Sequence, residues 1–182
     1  VAALAELWAG PLRDWKVLVT AGGTREAIDP VRYVGNHSSG KMGHAMAVEA
    51  AARGAEVHLV TAAGLPVPPG IEVVRVESAA EMEAAVEKLA EVDVAVLAAA
   101  VADFRPASPT SGKLSRSDGP PQMLLEPTPD ILAGVVSRHP PPFVVGFAAE
   151  TGSLDRAVSK ARDKGVDVLV ANDVTREGSG FG

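Results

Sequence analysis

The stretch Asn36-His37-Ser38-Ser39-Gly40-Lys41-Met42-Gly43 gathers an amide, two hydroxyls, a lysine and flexible glycines just before a segment with helical spacing. Such a stretch can bind an anion, because the first turn of a helix leaves backbone N–H groups unpaired. Read from Gly35, the spacing Gly35-x-x-x-x-Gly40-Lys41-Met42 nearly spells the phosphate loop of nucleoside triphosphatases. That loop ends in Ser or Thr so that a hydroxyl can bind magnesium. Met42 breaks the rule, and the nearest upstream strand ends near Thr20, whereas a phosphate loop joins strand to helix directly. The anion-binding chemistry survives the failed motif. Asn36 could hydrogen-bond a carbonyl or phosphate, or be a cap or turn residue ahead of the helix. His37 could act as a base or sit at the surface.

Other residues carry weaker signals. Small side chains at Ala98-Ala99-Ala100, where a strand ends, would admit a flat base or a sugar to the backbone, or serve tight helix packing. Asp103 could accept from a ribose hydroxyl or a base amino group, or cap a turn. Lys113 could neutralise a triphosphate and stabilise charge at phosphorus, or be a solvated loop lysine. Lys160 and Lys164 share one helical face, where the helix dipole gives the plain account of them.

The elements that must position these groups read as alternating strands and helices. Strands are expected at Val17 to Thr20, Glu56 to Thr61, Val73 to Val76, Asp93 to Ala98, Phe143 to Phe147 and Val166 to Val170. Helices are expected at Met42 to Arg53, from the capping box Ser78-Ala79-Ala80-Glu81 to about Ala90, at Pro129 to Ser137 and at Leu154 to Lys164. Strands without polar alternation, separated by helices, indicate a parallel sheet covered on both faces. The fold class is therefore α/β: a three-layer αβα, Rossmann-like, mostly parallel sheet, with a long flap after the fourth strand. That flap, about 104–128, is rich in Pro, Ser and Gly yet holds Arg105, Lys113 and Arg116. A stretch of that length is either functional or disordered. In such a sheet ligands bind beyond the carboxyl ends of the strands, where Ala21 to Arg25, Ala99 to Asp103, Ala148 to Thr151 and Asn172-Asp173 fall.

Composition excludes several classes. With 182 residues, 47% of them hydrophobic, the chain can bury one sizeable core. A formal net charge of -6 supplies no basic footprint, so neither nucleic acid nor a membrane surface is an expected partner. There is no cysteine, hence no disulfide or thiolate, and a cytoplasmic setting is expected. A dinucleotide-dependent oxidoreductase would need Gly-x-Gly-x-x-Gly after the first strand and an acidic residue ending the second, and both are missing. The histidines at 37, 44, 58 and 139 match no metal-ligand spacing, and any metal ligands stay unknown.

Several ordered segments together resemble one family, the phosphopantothenoylcysteine synthetases of coenzyme A biosynthesis. They are Val19 to Glu26 with Asp29 to Tyr33, Asn36 to Gly43, Ala99 to Phe104, Pro129 to Leu132, Val145 to Thr151 and Ala171 to Val174. The resemblance runs from about Lys16 to the end. It implies a ligase that condenses 4'-phosphopantothenate with cysteine, using CTP through an acyl-cytidylate and releasing pyrophosphate and CMP, with Mg2+ on the triphosphate. Carried over by position, Asn36 resembles the catalytic asparagine that contacts the intermediate, and Arg32 a substrate-binding arginine beside it. Lys113 resembles the flap lysine needed for turnover. Leu97, Ala98, Ala99, Asp103, Pro129, Asp130, Ile131, Leu132, Phe147, Lys160 and Lys164 correspond to nucleotide-binding positions, with Lys113 among them.

The family further implies a homodimer in which the flap helps complete the neighbouring site. It also implies an N-terminal fusion to a phosphopantothenoylcysteine decarboxylase, and FMN only with that domain. On this reading residues 1–15 are a linker or helix and 16–182 the synthetase domain, with the C-terminal part of the family domain missing. Two departures stand out: Ser115 occupies a position that is often lysine in the flap, and the chain stops at Gly180-Phe181-Gly182. They motivate the competing expectation, a non-catalytic module that binds a nucleotide or phosphopantothenate.

Overall fold

The computed structural model describes residues 10–89, 91–150 and 163–173, without the side chains of Glu150 and Asp173. At its centre lies a six-stranded sheet of β1 (Lys16–Ala21), β4 (Glu56–Thr61), β5 (Ile71–Arg75), β6 (Val94–Leu97), β9 (Phe143–Glu150) and β10 (Val168–Asp173). The spatial order is β10-β9-β6-β1-β4-β5 and every pairing is parallel. Val17, Leu18, Val19 and Thr20 of β1 are all buried, as a strand covered on both faces requires. The chain runs from β1 outward through β4 and β5, then returns to β6 on the other side of β1. The order thus reverses between β1 and β6, which creates a crevice beyond their carboxyl ends.

Two core clusters line the two faces of the sheet. One packs Leu18, Val60, Ala95 and Val144 against Met82 and Val86 of α2 (Ala79–Lys88) and Ile131 and Val135 of α3 (Ile131–Val136). The other packs Val17, Val19, Val57, Leu59 and Val96 against Ala47 of α1 (Lys41–Ala52). Helix α2 opens with the expected capping box: Glu81 N–H donates to Ser78 Oγ at 3.2 Å, and Ser78 N–H to Glu81 Oε2 at 3.3 Å. Helix α1 starts at Lys41, with Gly40 as N-cap at φ 76°, a left-handed conformation that glycine adopts without strain. A Cβ on Gly43 would meet Ala21 Cβ at 2.7 Å and Thr20 O at 2.8 Å, so bare backbone there lets α1 lie directly on β1.

The principal strands and helices fall where the sequence places them, within two or three residues. Two antiparallel ribbons were not expected. One pairs β2 (Arg25–Ala27) with β3 (Tyr33–Gly35) in what reads as a polar loop, and the other pairs β7 (Phe104–Pro106) with β8 (Leu125–Pro127) at the base of the flap. Strands of three residues are too short for any periodicity to declare them, and Pro106 and Pro127 argue against strand on local grounds. The helix expected at Leu154 to Lys164 lies outside the described residues except for its end.

Candidate functional site

The crevice between β1 and β6 opens into a cavity of about 660 Å³. Its floor is backbone and small side chains: Ala99, Ala100, Val101 and Ala102 beyond β6, and Gly146 on β9. This floor is sewn to the end of β1. Ala99 N–H donates to Thr20 Oγ1 at 3.2 Å, Ala100 N–H to Gly22 O at 2.9 Å, and Ala102 N–H to Thr24 Oγ1 at 2.9 Å. Thr24 is buried, so its hydroxyl is a fixed acceptor rather than a solvated one. The flap base is tied to the same segment, since Thr128 N–H donates to Asp103 O at 3.0 Å and the Thr128 hydroxyl donates to Ala102 O.

Asn36 stands at the rim. The amide Nδ2 donates to Val101 O at 2.9 Å, linking the β2–β3 ribbon's exit to the floor. One amide hydrogen serves that bond, and an amide nitrogen carries two. The capping role open to Asn36 from sequence is not its role, because Gly40 occupies the N-cap. His37 lines the cavity beside Asn36.

On the opposite wall Pro129, Asp130, Ile131 and Leu132 carry the start of α3, with Phe147 of β9 beneath. The two Asp130 oxygens have separate jobs: Oδ1 accepts from Ala133 N–H at 3.0 Å and caps the helix, while Oδ2 accepts from Lys164 Nζ at 2.6 Å. The Lys164 hydrogen bond holds the Asp130 carboxyl below its usual range, against the opposing effect of burial. Lys164 and Asp103 both line the cavity.

The cavity therefore brings together Asn36, Leu97, Ala99, Asp103, Pro129, Asp130, Ile131, Leu132, Phe147 and Lys164 from segments spread over the chain. Ala98 lines a neighbouring cavity of about 240 Å³ formed by Ser38 to Gly43, Ala148 and Asn172, which shares Ala99, Ala100, Phe147 and Ala149 with the first. Arg32 and Lys113 are not on either wall. Arg32 borders a third cavity of about 230 Å³ with Leu114 and Arg116, and Lys113 sits exposed on the flap. Lys160 lies outside the described residues. Among the described residues no group of three or more His, Asp or Glu could hold a metal ion, and no helix is long and apolar enough to cross a membrane.

The flap is folded against the β2–β3 ribbon. Thr110 N–H donates to Ile28 O at 2.9 Å, and Arg105 pairs with Glu126 at 2.8 Å across β7 and β8. At the ribbon's turn, Asp29 is buried and accepts from Val31 N–H and Arg32 N–H, both at 2.7 Å, through Oδ1. Through Oδ2 it accepts from Leu114 N–H at 3.1 Å and from the Arg32 guanidinium. Burial works to raise the Asp29 carboxyl, but the N–H groups of Val31, Leu114 and Arg32, with the guanidinium, outweigh it and bring it to about 2.

Sequence reasoning gave no role to Thr20, Thr24, Thr128 or Asp29. Asp-Pro-x-Arg at 29–32 is a legible turn signal, but nothing in the local sequence says that the flap would land on it. The three threonines look like ordinary loop and strand-end residues until the topology brings their partners alongside.

The profile of the family described as the DNA/pantothenate metabolism flavoprotein C-terminal domain matches residues 12–182. The coenzyme A biosynthesis bifunctional protein CoaBC of Mycobacterium tuberculosis is 51% identical over 181 residues, covering 91% of this chain and 43% of that protein. Its counterpart in Vibrio vulnificus is 46% identical over 177 residues, covering 94% and 44%. The chain thus spans less than half the length of these relatives. The crystal structure of the C-terminal domain of a CoaBC superimposes with a TM-score of 0.78 at 42% identity, covering 90% of this chain and 79% of that one.

Proposed function

The chain belongs to the DNA/pantothenate metabolism flavoprotein C-terminal domain family, and from that premise we propose that it is a ligase joining 4'-phosphopantothenate to L-cysteine at the expense of CTP. The observation that carries the reading is the cavity at the sheet's switch point, where Asn36, Asp103, the Pro129 to Leu132 segment, Phe147 and Lys164 converge.

In the proposed reaction the carboxylate of 4'-phosphopantothenate attacks the α-phosphorus of CTP, and pyrophosphate leaves with the electron pair of the broken P–O bond. The cysteine amine then attacks the acyl carbon of the acyl-cytidylate, an amide forms, the amine loses a proton and CMP departs. No protein nucleophile is required, so the protein's work is to position ligands and stabilise charge. The floor of small residues at Ala99 and Ala100 suits a planar base or sugar lying against backbone. Asp103 is an exposed acceptor for a hydroxyl or amino group, and Lys164 a cation for the phosphates. The second Nδ2 hydrogen of Asn36 is available to an oxygen that gains charge as the acyl-nucleotide forms. Lys113 supplies a positive charge from the flap during nucleotidyl transfer.

Magnesium enters this account with the substrate, as counter-ion of the triphosphate, because that ion is held mainly by phosphate oxygens and water. FMN belongs, on this reading, to a decarboxylase domain fused upstream, as the bifunctional relatives suggest. The partner we propose is a second copy of the chain. Tyr33, Phe104, Leu124 and Leu125 are exposed apolar residues on the adjoining ribbon and flap, a surface suited to a matching patch. The setting proposed is the cytoplasm.

The test is a steady-state assay of the full-length protein with 4'-phosphopantothenate, cysteine, magnesium and either CTP or ATP. The expected result is formation of phosphopantothenoylcysteine with one CMP per product and a strong preference for CTP. Nucleotide binding without product would identify a binding module instead.

A further inference from the structure

Besides the Thr110 bond to Ile28 O, the flap meets the ribbon's turn at Leu114, through both of that residue's backbone polar groups. Leu114 donates its N–H to Asp29 Oδ2 at 3.1 Å, and its carbonyl accepts from Arg32 Nη1 at 3.2 Å, while the same guanidinium pairs with the same Oδ2. Both polar groups of one flap residue are therefore closed into a ring by one ion pair. The Asp29 side chain is fully buried although that of Arg32 is 47% exposed, so the acidic half is the fixed anchor. Lys113 immediately precedes the clasped residue.

From this ring we infer that Asp29 is a positioning residue for the reaction: it fixes the flap at Leu114 and so determines where Lys113 can reach, while holding Arg32 beside it. The inference rests on the proposed ligase activity for its catalytic consequence, but the latch itself is a structural claim that can be tested without any substrate. The lowered pKa of Asp29 fits the role, because the carboxylate stays charged throughout the working range of pH. Arg32 is the joint between substrate and flap. A ligand carboxylate or phosphate that engages its exposed edge does so on a side chain already bonded to the flap backbone.

The division of labour between the two carboxylate oxygens supplies a selective variant. In Asp29→Asn the amide oxygen can still accept from Val31 and Arg32 N–H and keep the turn, whereas the amide nitrogen would face the Leu114 N–H and the guanidinium, donors against a donor. Hydrogen exchange at flap amides 110–119 of the full-length protein should speed up about tenfold or more, as loss of a charge-assisted bond implies. Exchange in β1 and α1 should not change. The kcat for pyrophosphate release should fall about tenfold to a hundredfold from misplacement of Lys113, with KM for CTP unchanged because no cavity wall is touched. Lys113→Gln should add little further loss in the Asp29→Asn background, as two residues in one chain of action require. Unchanged flap exchange would overturn the latch; a freed flap with full kcat, or losses that multiply, would overturn the positioning role. A wild-type protein that exchanges as described but releases no pyrophosphate would contradict the ligase reading alone. Should Asp29→Asn fail to fold, Leu114→Pro, which deletes the donated N–H on the flap side, carries the same two predictions at the flanking amides and in kcat.

Discussion

Lys164 Nζ lies 2.6 Å from Asp130 Oδ2, so the cation that borders the cavity is held by the residue that caps α3. The pair joins the approach to β10 to the segment that follows the flap, across 34 positions of sequence. A triphosphate entering the cavity would find this ammonium already oriented and would have to share it with Asp130.

Removing the charge should be felt in nucleotide binding. Lys164→Met is expected to weaken CTP binding about tenfold, the scale of one charge-assisted hydrogen bond. Asp130→Asn separates capping from pairing: Asn caps as well as Asp, so stability should move by less than about 0.5 kcal/mol, while Lys164 loses its ionic partner. Calorimetric titration with CTP and thermal unfolding read the two effects. Equal affinity in wild type and Lys164→Met would remove Lys164 from the site.

Asn36→Ala should lower the rate of pyrophosphate release about 10²- to 10³-fold if the side chain stabilises charge in the transition state, the usual cost of losing one such donor. Its exposed bond to Val101 O contributes about 1 kcal/mol to stability. Rate and melting temperature measured on the same sample separate the two contributions. A loss of stability with the rate intact would make Asn36 a tie between loop and floor and nothing more.

Gly43→Ala tests the packing that builds the cavity's edge. Its Cβ would fall 2.7 Å from Ala21 Cβ and 2.8 Å from Thr20 O, both fixed in β1, so α1 must move away from the sheet. A cost of about 1–3 kcal/mol is expected from overpacking, visible as a lower denaturation midpoint. Gly64→Ala, where a Cβ meets nothing within 4 Å, is the matched control and should be close to neutral.

His44 sets a pH dependence of stability. It is buried on α1 with Nε2 3.0 Å from Thr61 Oγ1, and burial, helped by Arg75, holds its pKa below the ordinary 6.5. The unfolded chain thus binds a proton that the folded chain resists, so stability should fall as pH drops below 6.5 toward the folded value. Above 6.5 both states are neutral at this residue and its contribution is flat. Chemical denaturation of wild type and His44→Gln between pH 5 and pH 8 should show a slope for the wild type that the variant reduces.

Legibility in the sequence followed the range of the forces involved. The parallel sheet was readable because β1, β4 and β6 are short runs without polar alternation, and α2 because Ser78 and Glu81 announce it locally. The cavity was readable in outline because the residues just past strand ends must gather at one edge of such a sheet. The place of Asn36 at the cavity's rim was not readable, since its partner is Val101 O, 65 positions away. The hydroxyls of Thr24 and Thr128 and the grip of Asp29 on Leu114 were invisible for the same reason: each is a single long-range bond that leaves no periodic trace.

The central claim, activation of a carboxylate by nucleotidyl transfer at this cavity, is tested most directly in a single turnover without cysteine. Full-length protein mixed with CTP, magnesium and 4'-phosphopantothenate should release one pyrophosphate per site and retain the cytidylate, which appears as CMP together with phosphopantothenoylcysteine only when cysteine is added. Absence of pyrophosphate in that first phase, with phosphopantothenate and CTP both bound, would contradict the account.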